Sequence, residues 1–178
     1  MNFPIFNYYI TINLTIITSL NYNLLKYESS RKLQTFIENR TIYSADYAEL
    51  NVFETQQIAK KVDLQFSYPI IASMLSGKKI MHLKHRNPFD FFPGESVVLP
   101  SNEKMIIDFP LATTTAPTRC LALGIHPDKI QETVRYFNEN TRIEFENDNY
   151  DLQGNSAHLE NNIQVQYVLD RIFKTFLS

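Results

Sequence analysis

The stretch from Phe66 to Ile125 constrains the fold of this 178-residue chain most strongly, because short β-branched runs alternate there with turn residues. Two of the chain's four glycines, Gly77 and Gly94, fall inside it, and Pro93 stands directly before Gly94. Glycine supplies the backbone freedom of a tight turn, and proline presets φ beside it. Many short strands at regular spacing are typical of a small β-barrel or jelly roll.

Apolar periodicity predicts where the other elements lie. Strands are expected at 47–53, 65–75, 78–85, 95–99, 104–109 and 119–125, with loops at 56–61, 86–90 and 111–117. A helix is expected at 29–39, where Leu33, Phe36 and Ile37 share one face, and another at about 127–138, where Pro127 suits the first helical position. The predicted class is mainly β with flanking helices, and residues 29–147 form its barrel domain.

The two ends of the chain lie outside this barrel domain. Residues 1–28 alternate isoleucine and leucine with threonine and asparagine, which predicts an edge strand, an arm or a poorly ordered extension. Neither a signal peptide nor a membrane span fits this segment, so a cytoplasmic protein is expected. Residues 148–178 are predicted to be a polar linker followed by an amphipathic helix from Leu159 onward. That helix suits either subunit pairing or packing on its own barrel.

Charge and cysteine content narrow the functional classes. The chain carries 17 basic and 19 acidic residues, for a net charge of −2, whereas nucleic-acid-binding domains usually show a basic excess. The lone Cys120 cannot form an internal disulfide and suits a reducing compartment. We expect it to be a buried structural thiol.

Taken in order, these pieces resemble the N-terminal domain of AraC-type transcription regulators, over roughly residues 33–138. The segments that carry the resemblance are the predicted helix with Leu33, Phe36 and Ile37, Tyr47–Phe53, Tyr68–Lys79, Phe91–Ser101 and Cys120–Ile125. The resemblance implies a cupin-like barrel that senses a small-molecule effector or dimerises. It also implies that DNA is bound only through a separate domain with two helix-turn-helix units, which is absent from this chain.

The alternative is a stand-alone cupin-type metal-dependent enzyme, such as an isomerase or oxygenase. Cupin enzymes hold their metal with two histidines separated by one residue on a strand. The pair available here, His82 and His85, is separated by two residues, so the side chains are expected on opposite faces. Asp90 is the nearest carboxylate that follows, and His126 and His158 lie outside the predicted strands. We therefore expect no metal, no cofactor and no catalytic residues.

Strand parity supplies the candidate site residues. The predicted pocket residues are Tyr68, Met74, His82 and Arg119, the last as a charged anchor. The predicted turn residues are Pro93 and Gly94. A homodimer is expected, with the terminal helix contributing Tyr167, Ile172, Phe173 and Phe176. The function predicted from these residues is that of a non-enzymatic regulatory domain.

Overall fold

The computed structural model describes residues 35–140 and 154–177, which form ten strands and two helices. The strands are β1 (Asn39–Ala45), β2 (Ala48–Thr55), β3 (Ala59–Gln65), β4 (Ile70–Ser76), β5 (Lys79–Leu83), β6 (Phe89–Phe91), β7 (Glu95–Leu99), β8 (Lys104–Phe109), β9 (Thr118–Ile125) and β10 (Ala157–Glu160). The helices are α1 (Pro127–Asn140) and α2 (Ile163–Leu177). The predicted arm, 1–28, lies outside the described residues. The predicted class, mainly β with flanking helices, is confirmed.

Two antiparallel sheets face each other. Among the described strands, one sheet has six strands in the order β1-β2-β9-β4-β7-β10, and the other has four in the order β3-β8-β5-β6. Sheet neighbours are often distant in sequence, as in jelly rolls. The ladders between these strands do not join the sheets into one closed barrel, so the jelly roll is the observed architecture.

The space between the sheets is filled by the main hydrophobic core. Alternate residues of both sheets point into it, as strand geometry requires. The fully buried large side chains of this core include Phe53, Met81, Phe91, Leu99, Ile107 and Phe109. A second hydrophobic cluster covers the other face of the six-stranded sheet.

The second cluster joins α2 to the outer face of the six-stranded sheet. Its sheet residues are Leu50, Val52, Leu75, Leu121 and Leu123. Phe173 of α2 is only 1% exposed within it, and Ile172 and Phe176 pack against it. These three residues, predicted for a dimer contact, therefore serve the fold of their own subunit, whereas Tyr167 is 55% exposed.

The predicted helix at 29–39 is wrong in its described part. Residues 35–38 are not helical, and β1 begins at Asn39. The Thr35 hydroxyl both accepts from the Ile37 amide and donates to the Ile37 carbonyl, which competes with helical hydrogen bonding. Glu38 then adopts a φ of 47°, outside the helical region.

Four strands were missed. β1 begins at the last residue of the predicted helix, and the other three share a reason, since each is short or polar. β3 falls partly in a predicted loop, β6 lies at the end of another, and β10 lies where a helix was expected. β3 begins with a bulge, at which Lys61 has a φ of 55°, and that irregularity hides its alternation. The predicted strand 65–75 is interrupted, since β4 begins only after Pro69.

Two glycine turns hold the strands in register. Gly77 has a φ of 79°, and a Cβ there would lie 2.8 Å from the Cα of Thr118. Gly94 has a φ of 88° directly after Pro93, but a Cβ there would meet nothing within 4 Å. Gly94 is therefore required for its backbone conformation alone, and Gly77 for conformation and space.

Candidate functional site

The structure does not bring the four predicted pocket residues together. Met74 is buried between the sheets, and Tyr68 packs half-buried against the same core. His82 lies on the outer side of β5, where its Nε2 is 3.1 Å from the Asp108 carboxylate. Arg119 shares the outer face of β9 with the second cluster, and its Nε donates to Glu54 at 2.5 Å.

Two other polar groups lie on the inner face instead. The first, which we call the deep polar cluster, consists of Glu38, Thr55, Lys79 and Cys120. The second, the rim cluster, consists of Arg40, Glu49, Asn51 and Tyr68. Both adjoin the aromatic rings of the main core.

Lys79 is the centre of the deep polar cluster. It leads β5, in which Lys79, Met81 and Leu83 alternate toward the interior, and its side chain is only 4% exposed. Its Nζ donates to Glu38 Oε1 at 3.1 Å and to Cys120 Sγ at 2.9 Å. The neighbouring Lys78 is half-buried and pairs with Asp90, so two adjacent lysines differ in burial and in partner.

Electrostatics make Lys79 a permanent cation. Burial by itself would lower its pKa, but the charge of Glu38 and the hydrogen bonds that Nζ donates to Glu38 and Cys120 raise that pKa above its usual range. Burial raises the pKa of the Cys120 thiol, despite the opposing effect of Lys79. The sulfur is therefore a neutral thiol at neutral pH, and Glu38 is the counter-ion. A protonated lysine is not an amine nucleophile, which argues against Schiff-base chemistry here.

Glu38 reaches Lys79 from just before β1. Its amide donates to Thr55 Oγ1 at 2.9 Å, and its side chain is 10% exposed. Its second carboxylate oxygen, Oε2, is buried and has no hydrogen-bond partner within the described part of the chain. A buried carboxylate oxygen without a partner is costly, so Glu38 holds Lys79 imperfectly.

The rim cluster is centred on Glu49. Arg40 donates to Glu49 at 2.9 Å through Nη2 and to Asn51 at 2.6 Å through Nε, and the Tyr68 hydroxyl also donates to Glu49. Burial by itself would raise the pKa of Glu49. Hydrogen bonds from Tyr68 and Asn51 and the charge of Arg40 lower this pKa by more, so the net shift is downward. Burial and the bond to Glu49 raise the pKa of Tyr68.

Arg40 links the rim cluster to the aromatic core. Its guanidinium carbon lies 5.8 Å from the ring centre of Phe53 and 5.4 Å from that of Phe66. Lys79 makes a similar approach to Phe109 at 5.0 Å. Such cation–π contacts place both cations beside apolar aromatic surface.

Gly124 shapes the rim. A Cβ at this position would lie 2.0 Å from Cε2 of Tyr68, so only glycine lets the tyrosine ring lie on β9.

A cavity of about 210 Å³ opens beside Glu49, Tyr68 and Gly124. The interior itself encloses only about 20 Å³, lined by apolar residues together with Lys79 and Cys120.

The described residues assemble no metal site. Within 35–140 and 154–177, no three His, Cys, Asp or Glu side chains are grouped as metal ligands. His85 is exposed, and His158 is engaged with Glu95 at 3.0 Å. The donor set that a cupin-type metal enzyme needs is therefore not brought together in this part of the chain.

Sequence reasoning missed most of the polar residues that the fold brings inside. Lys79 could have been found, since it shares the parity of Met81 and Leu83. Glu38 gave no such signal, because it lies in a segment with helical periodicity. Its contact with Lys79 joins residues 41 positions apart in the chain.

Comparison with known proteins places this fold in context. A family model described as the N-terminus of AraC-type transcriptional regulators matches residues 46–165, more than half of the chain. No curated protein sequence matches. No helix among the described residues is long and apolar enough to cross a membrane.

Among solved structures, two of ToxT from Vibrio cholerae have a similar fold. One, bound to (E)-4-(8-methylnaphthalen-1-yl)but-3-enoic acid, aligns with a TM-score of 0.54 and 12% identity over 74% of this chain and 49% of that chain. The other aligns with a TM-score of 0.53 and 12% identity over 72% and 48%. An RmlC-like cupin family protein from Methanocaldococcus jannaschii aligns with a TM-score of 0.42 and 14% identity over 57% and 93%.

Proposed function

Because this chain belongs to the family of AraC-type transcriptional regulator N-terminal domains, we propose that it senses a small-molecule effector between its two sheets. The chain spans about half the length of ToxT, so DNA binding is assigned to a domain outside this chain. The net charge of −2 supports that assignment, since a DNA-binding domain usually carries a basic excess. Its role is regulatory and not enzymatic.

We propose an apolar carboxylic acid as the effector class. The observation that carries this proposal is the Lys79 ammonium group, buried in an otherwise mostly apolar interior. Burying a charge is costly unless it is paired, so a fixed interior cation favours ligands that bring an anion. The ToxT neighbour is bound to a molecule of this kind, a naphthalene-bearing butenoic acid.

Methionine NMR tests the proposal directly. The chain has four methionines, and Met74, Met81 and Met105 are buried between the sheets, while Met1 lies outside the described residues. With ¹³C-methyl methionine, decanoate is expected to shift the Met81 and Met105 resonances, because both line the interior cavity. Decanol, which has the same tail without the charge, is the matched control and is expected to bind more weakly.

Three results would contradict the proposal. Saturable decanoate binding that leaves all three interior methyl resonances unchanged would place the ligand elsewhere. Equal affinity for decanoate and decanol would show that the carboxylate is not recognised. Absence of binding by either compound would reject the effector class.

We further propose that the domain pairs as a homodimer through the solvent-facing side of α2. Tyr167 and Val168 are 55% and 53% exposed there, and Arg171 lies against the Tyr167 ring. Sedimentation should show that Val168→Asp dissociates the dimer while leaving the fold intact. Leu111→Asp, which removes an equally exposed apolar side chain from a loop, is the control and should remain dimeric. A monomeric parent at micromolar concentration would refute the dimer.

A further inference from the structure

Within the described part of the chain, the cavity beside Lys79 leaves no free room for an effector. Its enclosed cavity of about 20 Å³ holds one water molecule at most. The walls are close-packed side chains from both sheets, and a close-packed interior does not expand at low cost. Any molecule that binds beside Lys79 must therefore replace something already there.

Glu38 is the least firmly held group next to Lys79. It precedes β1, so it lies outside the strand ladders that fix Thr55, Lys79 and Cys120. Its φ of 47° is a conformation that non-glycine residues rarely adopt, and its Oε2 is left without a partner in the described residues. Its departure would relieve both defects.

We propose that Glu38 is a built-in occupant of the anion site at Lys79, and that an effector carboxylate binds by replacing it. This inference rests on the proposed function and names how the same site is regulated. The exchange is balanced in charge, because one carboxylate leaves as another arrives and Lys79 is never left unpaired. A neutral ligand cannot make this exchange, so the proposal predicts selectivity for acids.

The replacement also gives the effector a way to act on the chain before β1. Besides the ion pair with Lys79, two hydrogen bonds donated by backbone amides join residues 35–38 to Thr55 and Gln56. The Glu38 amide donates to Thr55 Oγ1 at 2.9 Å, and the Gln56 amide donates to the Phe36 carbonyl at 2.7 Å. Expulsion of Glu38 breaks the first and loosens the second, so occupancy changes the attachment of this segment.

Calorimetric titration of the 178-residue chain with decanoate tests the exchange. Glu38→Gln removes the competing charge and leaves Lys79 in need of an anion, so decanoate affinity should rise at least about tenfold. Glu49→Gln is the matched control, because it removes another inward carboxylate that pairs with a cation, Arg40. It should change the affinity less than about threefold.

The double variant Glu38→Gln with Lys79→Met removes both charges together and avoids leaving either one buried alone. It should lose the preference for decanoate over decanol. Retention of that preference would overturn the role of Lys79. If Glu49→Gln tightens decanoate binding and Glu38→Gln does not, the exchanged anion is Glu49 and the proposal is wrong.

Hydrogen exchange provides a readout that simple binding would not change. In the parent, saturating decanoate should speed exchange at the amides of Glu38 and Gln56, whereas the ladder amides of β9 should not change. Binding with unchanged exchange at these two amides would overturn the replacement while leaving the proposed function standing. If neither the parent nor Glu38→Gln binds decanoate, the effector class itself fails and the replacement fails with it.

Discussion

The two faces of the six-stranded sheet are built from alternate residues of the same strands, yet they carry different chemistry. On β2, Leu50 and Val52 point outward to α2, whereas Asn51 and Thr55 point inward. Apart from the ion pair of Arg119 with Glu54, the outer face between sheet and helix is largely apolar, and it stabilises the fold mainly by burial. The inner face holds charges that must be paired, which adds little to stability. Both faces therefore serve folding, and under the proposed function the inner face also serves recognition.

Phe173→Asp should break the outer face and have the largest effect. The side chain is 1% exposed, so the substitution removes a buried ring and places a charge among leucines. The combined loss should exceed about 5 kcal/mol and unfold the domain. Circular dichroism should show no folded state at 25 °C.

Tyr167→Asp is the control for this result, because it places the same charge on the exposed side of α2. It should fold. A folded Phe173→Asp monomer would instead show that α2 is held by a partner and not by its own sheet.

Lys79→Met tests the inner face and should have the next largest effect. It leaves the Glu38 carboxylate buried without its cation, which typically costs about 3–5 kcal/mol. Lys78→Met, one residue earlier, removes a lysine from a partly exposed pair with Asp90 and should cost less than about 1 kcal/mol. Urea unfolding of both variants measures the difference. If both variants lost the same free energy of unfolding, burial would not make the Lys79–Glu38 pair more important to stability than the Lys78–Asp90 pair.

The sequence predicted the strands best where both faces are apolar or regularly alternating. The predicted strands 95–99 and 104–109 coincide with β7 and β8, and α1 was placed to within two residues. β3 and β10 were missed because polar edge strands lack alternation strong enough to detect. Local periodicity carries no information about which side chains meet across the interior.

The candidate site was therefore harder to predict than the fold. His82 was predicted to point inward from β5. The alternate residues of β5, Lys79 among them, point inward instead, and Lys79 is buried. A shift of one residue exchanges the two faces of a strand, so an error of one position replaces the whole set of site residues. The partner Glu38 could not be inferred, because its position follows from a single unusual φ at the start of β1.

Gly124→Ala sharpens the comparison within β9. The added methyl group would overlap the Tyr68 ring on the inner face, so the ring must move away from Glu49. Forced repacking of this kind costs about 1–3 kcal/mol. Gly154→Ala is the control, since its Cβ would meet only Pro100 at an ordinary 3.7 Å. Thermal melts should separate the two, and similar midpoints would show that the Tyr68 ring adjusts freely.

The loss of stability at low pH tests the rim cluster, and we expect this change in the free energy of unfolding to be the smallest of those predicted. Hydrogen bonds from Tyr68 and Asn51, together with Arg40, outweigh burial and lower the pKa of Glu49 in the folded protein. A depressed pKa means that Glu49 contributes stability above its unfolded pKa of about 4.5, and this contribution is lost as the pH falls through the folded value. Glu49 is partly exposed, so solvent screening should keep the contribution below about 1 kcal/mol. Urea midpoints at pH 7 should therefore be higher for the parent than for Glu49→Gln, and the difference should shrink as the pH falls below about 4.5. Glu132→Gln, which removes an exposed carboxylate from α1, should run parallel to the parent throughout. If the difference in urea midpoint between the parent and Glu49→Gln did not change with pH, packing and not charge would account for the contribution of Glu49.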